Sequence, residues 1–127
     1  MTKQEKVEEL RSNPEIHYNC AQTVLIPYAE ECGLREETAY KLGTNFGGGM
    51  RMGSVCGAVT GALMVLGLLG YGEEESKRLL KEFREKYGSV SCVELLRSAH
   101  EQGVERRIHC QQMMDECIAF LESVVEK

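Results

Sequence analysis

The middle of the chain reads Asn45-Phe-Gly-Gly-Gly-Met-Arg-Met-Gly-Ser-Val-Cys56-Gly-Ala-Val-Thr-Gly61. This glycine-rich loop leads directly into a cysteine, and the cysteine opens a long uncharged segment with helical character. The first N–H groups of a helix are unpaired, and together with the helix dipole they favour a thiolate over a thiol. The sequence therefore predicts that Cys56 is a low-pKa thiol able to react or to bind a metal.

Glycines recur within the helix predicted at about residues 54–69. Gly53, Gly57 and Gly61 are four residues apart, although glycine inside a helix costs about 1 kcal/mol relative to alanine. Small residues on one helix face let another backbone come close, so these glycines indicate tight packing within a bundle or across a homodimer. Packing is the preferred explanation for Gly61. For Gly57, which adjoins the thiol, room for a cofactor or substrate is an equal alternative.

Helical periodicity and capping residues extend over the rest of the chain, whereas the alternation typical of strands is scarce. Thr2 and Glu5 match a capping box, and Pro27 is expected to kink or divide a helix. Further helices are predicted at about residues 2–11, 18–32, 36–42, 73–87, 91–96 and 104–125. The predicted fold class is all-α: one compact domain over residues 1–127, a helical bundle around the central apolar helix that carries the glycines.

Charge and hydropathy exclude several functional classes. The net charge is −5, and no cluster of Lys and Arg exceeds two adjacent residues, so no nucleic-acid partner is expected. Residues 52–72 are uncharged and just reach transmembrane length. Their six glycines, and an apolar part confined to residues 55–69, favour a buried core helix over a membrane span. Because the first residues lack the apolar region of a signal peptide, we expect a cytoplasmic location.

The chain contains six cysteines, which in a reducing compartment favours redox or metal chemistry over structural disulfides. No Cys-x-x-Cys and no zinc-finger spacing occurs, so the fold itself would have to bring the cysteines together. Cys20, Cys56 and Cys92 each lie near a predicted helix start. Cys117 is expected to lie in the core, and Cys32 is expected at the surface or in a packing contact. The alternative is that all of them are small core hydrophobes.

Other polar and glycine residues could complete a site. The loop and helix start at Gly48, Gly49, Arg51 and Gly57 are predicted to bind a cofactor or anion, although the loop lacks the Gly-Lys-Ser/Thr of a phosphate cradle. Arg51 could stabilise a thiolate or be a solvated loop residue. His17 lies three residues before Cys20, and His109 adjoins Cys110, so either could be a fourth metal ligand or a proton shuttle. The alternative for each is a partly exposed helical histidine.

The cysteine context resembles a known family. The elements that carry the resemblance are Asn19-Cys20-Ala21-Gln22, Phe46-Gly47-Gly48-Gly49-Met50, Cys56-Gly57-Ala58-Val59-Thr60-Gly61, Cys92-x-Glu94-Leu95-Leu96 and a cysteine on the terminal helix, Cys110. Over about residues 16–120 the chain resembles the small redox-active proteins named for their C_GCAxxG_C_C pattern. The resemblance implies that Cys20, Cys56, Cys92 and Cys110 are the family cysteines and that their role is redox or metal chemistry. It implies no substrate or cofactor.

Three hypotheses follow. In the first, Cys56 is the reactive thiolate, and Cys20, Cys92 or Cys110 resolves it into a disulfide, with an unknown redox partner. In the second, the same four sulfurs, with His17 as a further candidate, bind zinc or an iron–sulfur cluster. In the third, the protein is a non-catalytic helical interaction module with buried cysteines. The wide sequence separation of the cysteines favours the first hypothesis over the second.

Overall fold

The glycine-rich segment forms the buried centre of the fold. The computed structural model describes residues 1–125. In it, the central helix that carries the glycines runs from Gly57 to Leu68. Ala58, Val59, Ala62, Val65 and Leu66 on this helix are fully buried. No helix in the described part of the chain has the length and apolarity needed to cross a membrane.

The surrounding elements confirm the all-α prediction. In chain order the helices are α1 (Lys3–Arg11), α2 (Cys20–Leu25), α3 (Glu36–Gly43), α4 (Gly57–Leu68), α5 (Glu73–Tyr87), α6 (Cys92–Glu101) and α7 (Arg106–Val125). Thr2 and Glu5 form the predicted capping box of α1. The second predicted helix is divided as expected at Pro27, because α2 ends at Leu25 and a single 3-10 turn over Ile26–Tyr28 follows it.

Two glycines of α4 let α2 approach its backbone. A Cβ atom added at Gly61 would lie 2.7 Å from the carbonyl oxygen of Ala21 and 3.1 Å from the Cβ of Val24. At Gly57 it would lie 3.1 Å from the Cβ of Cys20 and 3.1 Å from the carbonyl oxygen of Phe46. The packing explanation is therefore confirmed for Gly61, and Gly57 has the same role beside the thiol.

Hydrogen bonds fix the start of α2, where Cys20 lies. The side-chain oxygen of Asn19 accepts a hydrogen bond from the backbone N–H of Gln22 at 2.8 Å. The side-chain oxygen of Gln22 accepts one from the backbone N–H of Asn19 at 2.9 Å. The Asn19 amide nitrogen Nδ2 also donates to the carbonyl of Gly43 at 3.0 Å, and Gln22 Nε2 donates to that of Tyr40 at 2.9 Å. This reciprocal capping box joins α2 to the end of α3.

The central helix begins three residues later than predicted, which corrects the expected start at Ser54. Val55 instead pairs with Ser91 in an antiparallel bridge. The Cys56 amide donates to the carbonyl of Val90 at 2.7 Å, and the Cys92 amide donates to that of Ser54 at 2.6 Å. Backbone pairing with a distant segment has replaced the first helical turn, and Cys56 has become the N-cap of α4.

A matched pair of substitutions tests the approach of α2 to α4. Gly61→Ala should destabilise the protein by about 1–3 kcal/mol, because the added methyl group meets backbone that cannot move aside. Gly67→Ala on the same helix has no atom within 4 Å of the new Cβ, and the helix propensity of alanine should stabilise it by up to about 1 kcal/mol. Urea unfolding measures both free energies. Equal effects of the two substitutions would contradict this packing.

Candidate functional site

Four cysteines line one small cavity. Cys20, Cys56, Cys92 and Cys110 all contribute to its wall. Its free volume is about 30 Å³, which is room for one or two water molecules. Apolar side chains complete the wall together with two glycines and two basic residues: Leu95, Leu96, Met113, Gly48, Gly57, Arg106 and His109. The fold thus brings together the four cysteines that the sequence predicted.

Each sulfur reaches the cavity from a different element. Cys20 is the first residue of α2, Cys56 is the N-cap of α4, and Cys92 is the first residue of α6. Cys110 lies near the start of α7. The backbone bridge between residues 54–56 and 90–92 places the Cys56 and Cys92 segments side by side.

A wider groove of about 330 Å³ adjoins the cavity on the outside. The groove and the cavity share Cys20, Gly48, Arg106 and Cys110 as lining residues, whereas Cys56 and Cys92 line the cavity and not the groove. The cysteines therefore form an outer pair, Cys20 and Cys110, at the boundary with solvent, and an inner pair behind it. Gly48 leaves this boundary open, since no atom lies within 4 Å of where its Cβ would be.

Cys110 is the activated thiol of the site. The pKa of Cys110 is lowered to about 6, first by a hydrogen bond from the Cys20 thiol and then by the charges of Arg106 and Arg11, against an opposing effect of burial. Arg106 also hydrogen bonds the sulfur. At pH 7 a thiol with a pKa of about 6 is roughly nine-tenths thiolate.

The same hydrogen bond has the opposite effect on its donor. Donation to Cys110 raises the pKa of Cys20 well above the ordinary range, and burial and the Cys110 charge raise it further. Arg106 favours ionisation of Cys110, because its charge and its hydrogen bond both lower the pKa of that cysteine. The outer pair is thus a thiolate held by a protonated thiol.

The prediction that Cys56 is the low-pKa thiol was wrong. Burial raises the pKa of Cys56 to about 11. Hydrogen bonds from the backbone amides of Val59 and Ala58 at the helix start act in the predicted direction, but their effect is smaller than that of burial. The loss of hydration outweighs the helix terminus, because Cys56 is only 6% exposed.

Cys92 and His109 are neutral members of the cavity wall. Burial, followed by the charge of Cys110, raises the pKa of Cys92. His109 was expected to be a ligand, a proton shuttle or a partly exposed residue, and it is 7% exposed. Burial lowers its pKa, so it lines the cavity as a neutral imidazole.

The loop residues predicted to bind a cofactor have different surroundings. A Cβ at Gly49 would lie 2.8 Å from the Cβ of Cys92, so this glycine packs against the start of α6. Arg51 is exposed, donates to the Thr44 carbonyl at 3.4 Å and does not line the cavity. The expected thiolate-stabilising role belongs to Arg106 instead. Cofactor binding by Gly48, Gly49, Arg51 and Gly57 stays a prediction.

Sequence reasoning missed Arg106 and Arg11. Arg106 is four residues before Cys110 on one helix, a spacing that places the two side chains on the same face, so this signal was present in the sequence. Arg11 ends α1, and only the tertiary fold brings it to the site.

His17 is exposed and lines the outer groove, not the cavity. Cys117 is fully buried, and Cys32 is half-buried against the core.

The geometry does not fit the metal hypothesis as it stands. Within residues 1–125, no group of three or more His, Cys, Asp and Glu side chains has an arrangement that could hold a metal ion. A zinc or iron–sulfur site built on the four cysteines therefore stays a prediction.

These features define a class of small all-α proteins in which four cysteines from separate helices converge on one cavity. A family model described as "Putative redox-active protein (C_GCAxxG_C_C)" matches residues 18–124, and the chain belongs to this family. The resemblance found in the sequence is thereby confirmed. Searches of curated proteins and of solved structures gave no match.

The buried thiols make stability depend on alkaline pH. Between pH 9 and 11 the unfolded chain loses the Cys56 proton while the native state, with its pKa of about 11, retains it, so stability must fall as pH rises. The expected loss from Cys56 is about 2–3 kcal/mol. Cys110 acts at the other end, because its stabilising contribution is lost as pH falls through about 6.

Urea unfolding of reduced protein from pH 8 to 11 measures this dependence. Cys56→Ala should give a shallower decline between pH 9 and 11 than the wild type. Cys117→Ala should also flatten it, since burial raises the pKa of Cys117 well above the usual value. Parallel curves for the wild type and Cys56→Ala would contradict the assignment of a protonated Cys56.

Arg106→Gln should move the pH midpoint of Cys110 alkylation upward by about one unit or more, because an adjacent positive charge is removed. Iodoacetamide labelling followed by peptide mass spectrometry measures the rate at each cysteine. Arg84→Gln, an equal charge change at an exposed position of α5, is the control and should leave the midpoint in place. An unchanged midpoint in Arg106→Gln would show that Arg106 does not stabilise the thiolate.

Proposed function

We propose that the protein is a thiol–disulfide exchange protein in which Cys110 is the nucleophile and Cys20 resolves it. The observation that carries the proposal is the position of Cys110 beside Cys20 and Arg106 where the cavity meets the groove; both neighbours lower the pKa of Cys110. A thiol with a pKa below the ambient pH is mostly in its nucleophilic form. The family description, a redox-active protein, agrees with this chemistry.

The first step is attack on a disulfide of the redox partner. The Cys110 thiolate forms a bond to one partner sulfur, and the partner's S–S bond breaks. The departing sulfur takes the bonding electron pair and leaves as a thiolate. The product is a mixed disulfide between Cys110 and the partner, with no change in the total number of electrons.

The second step uses Cys20. Its sulfur attacks the Cys110 sulfur and displaces the partner's remaining sulfur, which accepts the Cys20 proton as it leaves. The partner has then gained two electrons, and it becomes a dithiol when the thiolate released in the first step takes a proton from water. Cys20 and Cys110 have lost two electrons and formed a disulfide.

The order of the steps follows from the hydrogen bond between the two sulfurs. Donation to the Cys110 thiolate is the largest cause of the raised pKa of Cys20. When Cys110 enters the mixed disulfide, its negative charge disappears, and with it both effects of Cys110 on Cys20. Cys20 therefore becomes easier to deprotonate at the moment when it has to attack.

Cys56 and Cys92 are assigned a second position in this scheme. They lie on segments joined by a backbone bridge. Negative charge on Cys92 or Cys110 raises the pKa of Cys56, and negative charge on Cys110 raises the pKa of Cys92. In a further exchange they could take over the disulfide from Cys20 and Cys110, which would return the outer pair to its dithiol form. Their raised pKa values make this exchange the slower one.

The two other hypotheses remain distinguishable. Metal binding has one favourable observation, the convergence of four sulfurs on one cavity, and it predicts stoichiometric zinc or iron in protein purified without chelator. The non-catalytic module predicts slow alkylation of every cysteine. A cytoplasmic location, an unidentified redox partner, a homodimer, and the absence of nucleic-acid and membrane partners stay predictions.

Equilibration with glutathione redox buffers, acid quenching and peptide mapping tests the function. The wild type should form a reversible Cys20–Cys110 disulfide. Cys20→Ser should accumulate a mixed disulfide on Cys110, because no resolving thiol remains, and Cys110→Ser should lose both products. Cys32→Ser, which alters a half-buried cysteine outside the cavity, should behave as the wild type does. Formation of neither the disulfide nor the mixed disulfide, or stoichiometric metal in the native protein, would overturn the proposal.

A further inference from the structure

The groove outside Cys110 is strongly basic although the chain as a whole is acidic. Arg11, Arg106, Arg107 and His17 line it, together with the outer cysteine pair. The net charge of the chain is −5, so this concentration of positive charge beside the thiolate runs against the overall composition. The arginines come from two helices that are far apart in sequence, at the end of α1 and the start of α7.

The arginines are held in place by backbone and not by acidic side chains. Arg11 Nη2 donates to the carbonyl of Arg107 at 3.1 Å, and Arg107 Nη2 donates to the carbonyl of Arg11 at 3.2 Å. None of the ion pairs within the described residues involves Arg11, Arg106 or Arg107. Arg106 hydrogen bonds the Cys110 sulfur, so Arg107, with Arg11 beside it, supplies the positive charge that a ligand can meet.

One polar atom of Arg11 has no hydrogen-bond partner. Arg11 Nε is buried and makes no hydrogen bond with any residue of the described chain. A buried N–H group without an acceptor is unfavourable, so the described chain leaves this arginine incompletely satisfied. A second hollow next to the groove is lined by Arg11, His17 and Arg107, and Glu15 is the acidic residue in its lining. Little negative charge therefore opposes the positive charge of the arginines.

We propose that this groove binds a small disulfide that carries carboxylate groups, and that Arg107 selects it. The inference deepens the proposed function and rests on it, because the bound disulfide would be the oxidant that Cys110 attacks. Guanidinium groups bind carboxylates through paired, charge-assisted hydrogen bonds. The volume of about 330 Å³ is that of a small-molecule site. Cys110 lines the same groove as the arginines, so a disulfide bound there through a carboxylate lies beside the nucleophile.

Arg107 separates binding from activation. Arg106 and Arg11 stabilise the Cys110 thiolate, whereas Arg107 is not among the groups that act on it. Loss of Arg107 therefore changes the charge of the groove without changing the nucleophile. It is a specificity residue, and its effect must appear as discrimination between disulfides of different charge.

The experiment compares three disulfide probes in stopped-flow reactions with reduced protein: anionic oxidised glutathione, neutral bis(2-hydroxyethyl) disulfide and cationic cystamine. The wild type should react fastest with the anionic probe and slowest with the cationic one. In Arg107→Gln the anionic-to-neutral rate ratio should fall roughly three- to tenfold, and high salt should lower it in the wild type. Arg107→Lys should recover part of the ratio, and Arg84→Gln should retain all of it.

Alkylation of Cys110 should have the same pH midpoint in Arg107→Gln as in the wild type, which verifies that the nucleophile is intact. An unchanged rate ratio in Arg107→Gln, or no preference for the anionic probe, would overturn the inference.

A separate binding measurement distinguishes failure of the groove from failure of the exchange function. S-methylglutathione has the carboxylates but no free thiol, and its binding is followed by amide chemical shifts in the reduced protein. If no probe reacts at Cys110, the exchange function fails. Binding near Arg11 and Arg107 that Arg107→Gln weakens would still support an anion-selective groove. Equal binding to both proteins, or no binding, would contradict it.

Discussion

The close approach of α2 to α4 is the constraint on which the site depends. At Gly57 and Gly61 the backbone of α2 lies where side chains would otherwise be, and this contact brings Cys20 to the start of the helix that Cys56 caps. The capping box of Asn19 and Gln22 then fixes the orientation of α2 against α3. A larger residue at either glycine would move the Cys20 segment away from the cavity.

Four chemically identical side chains acquire different properties because burial and charge are distributed unevenly around them. Cys56 is at a helix start, the position expected to favour a thiolate, yet its burial keeps it protonated. Cys110 lies within a helix, yet two arginines and a neighbouring thiol make it the anion. The outer pair reaches the groove and the inner pair does not. A molecule that enters from solvent therefore meets Cys110 before it can meet Cys56.

The sequence predicted those features that depend on local chemistry. The all-α class, the capping box at Thr2, the division at Pro27 and the packing at Gly61 follow from propensity, capping and steric rules, and the family motif identified the four cysteines. The bridge between Val55 and Ser91 was not predicted, because it joins segments 36 residues apart. The low pKa was predicted for Cys56, whereas it belongs to Cys110. Desolvation of Cys56 and the position of Arg11 are set by the tertiary structure, which the sequence does not show directly.

The reactivity of the site depends on which cysteine is ionised in the reduced protein, and we assign the thiolate to Cys110 and not to Cys56. The most direct measurement is a pH titration of the cysteine Cβ chemical shifts by NMR, with selectively ¹³C-labelled cysteine and assignment by single substitutions. With this assignment we expect Cys110 to titrate near pH 6 and Cys56 to stay protonated until about pH 11. Titration of Cys56 at a lower pH than Cys110 would contradict it.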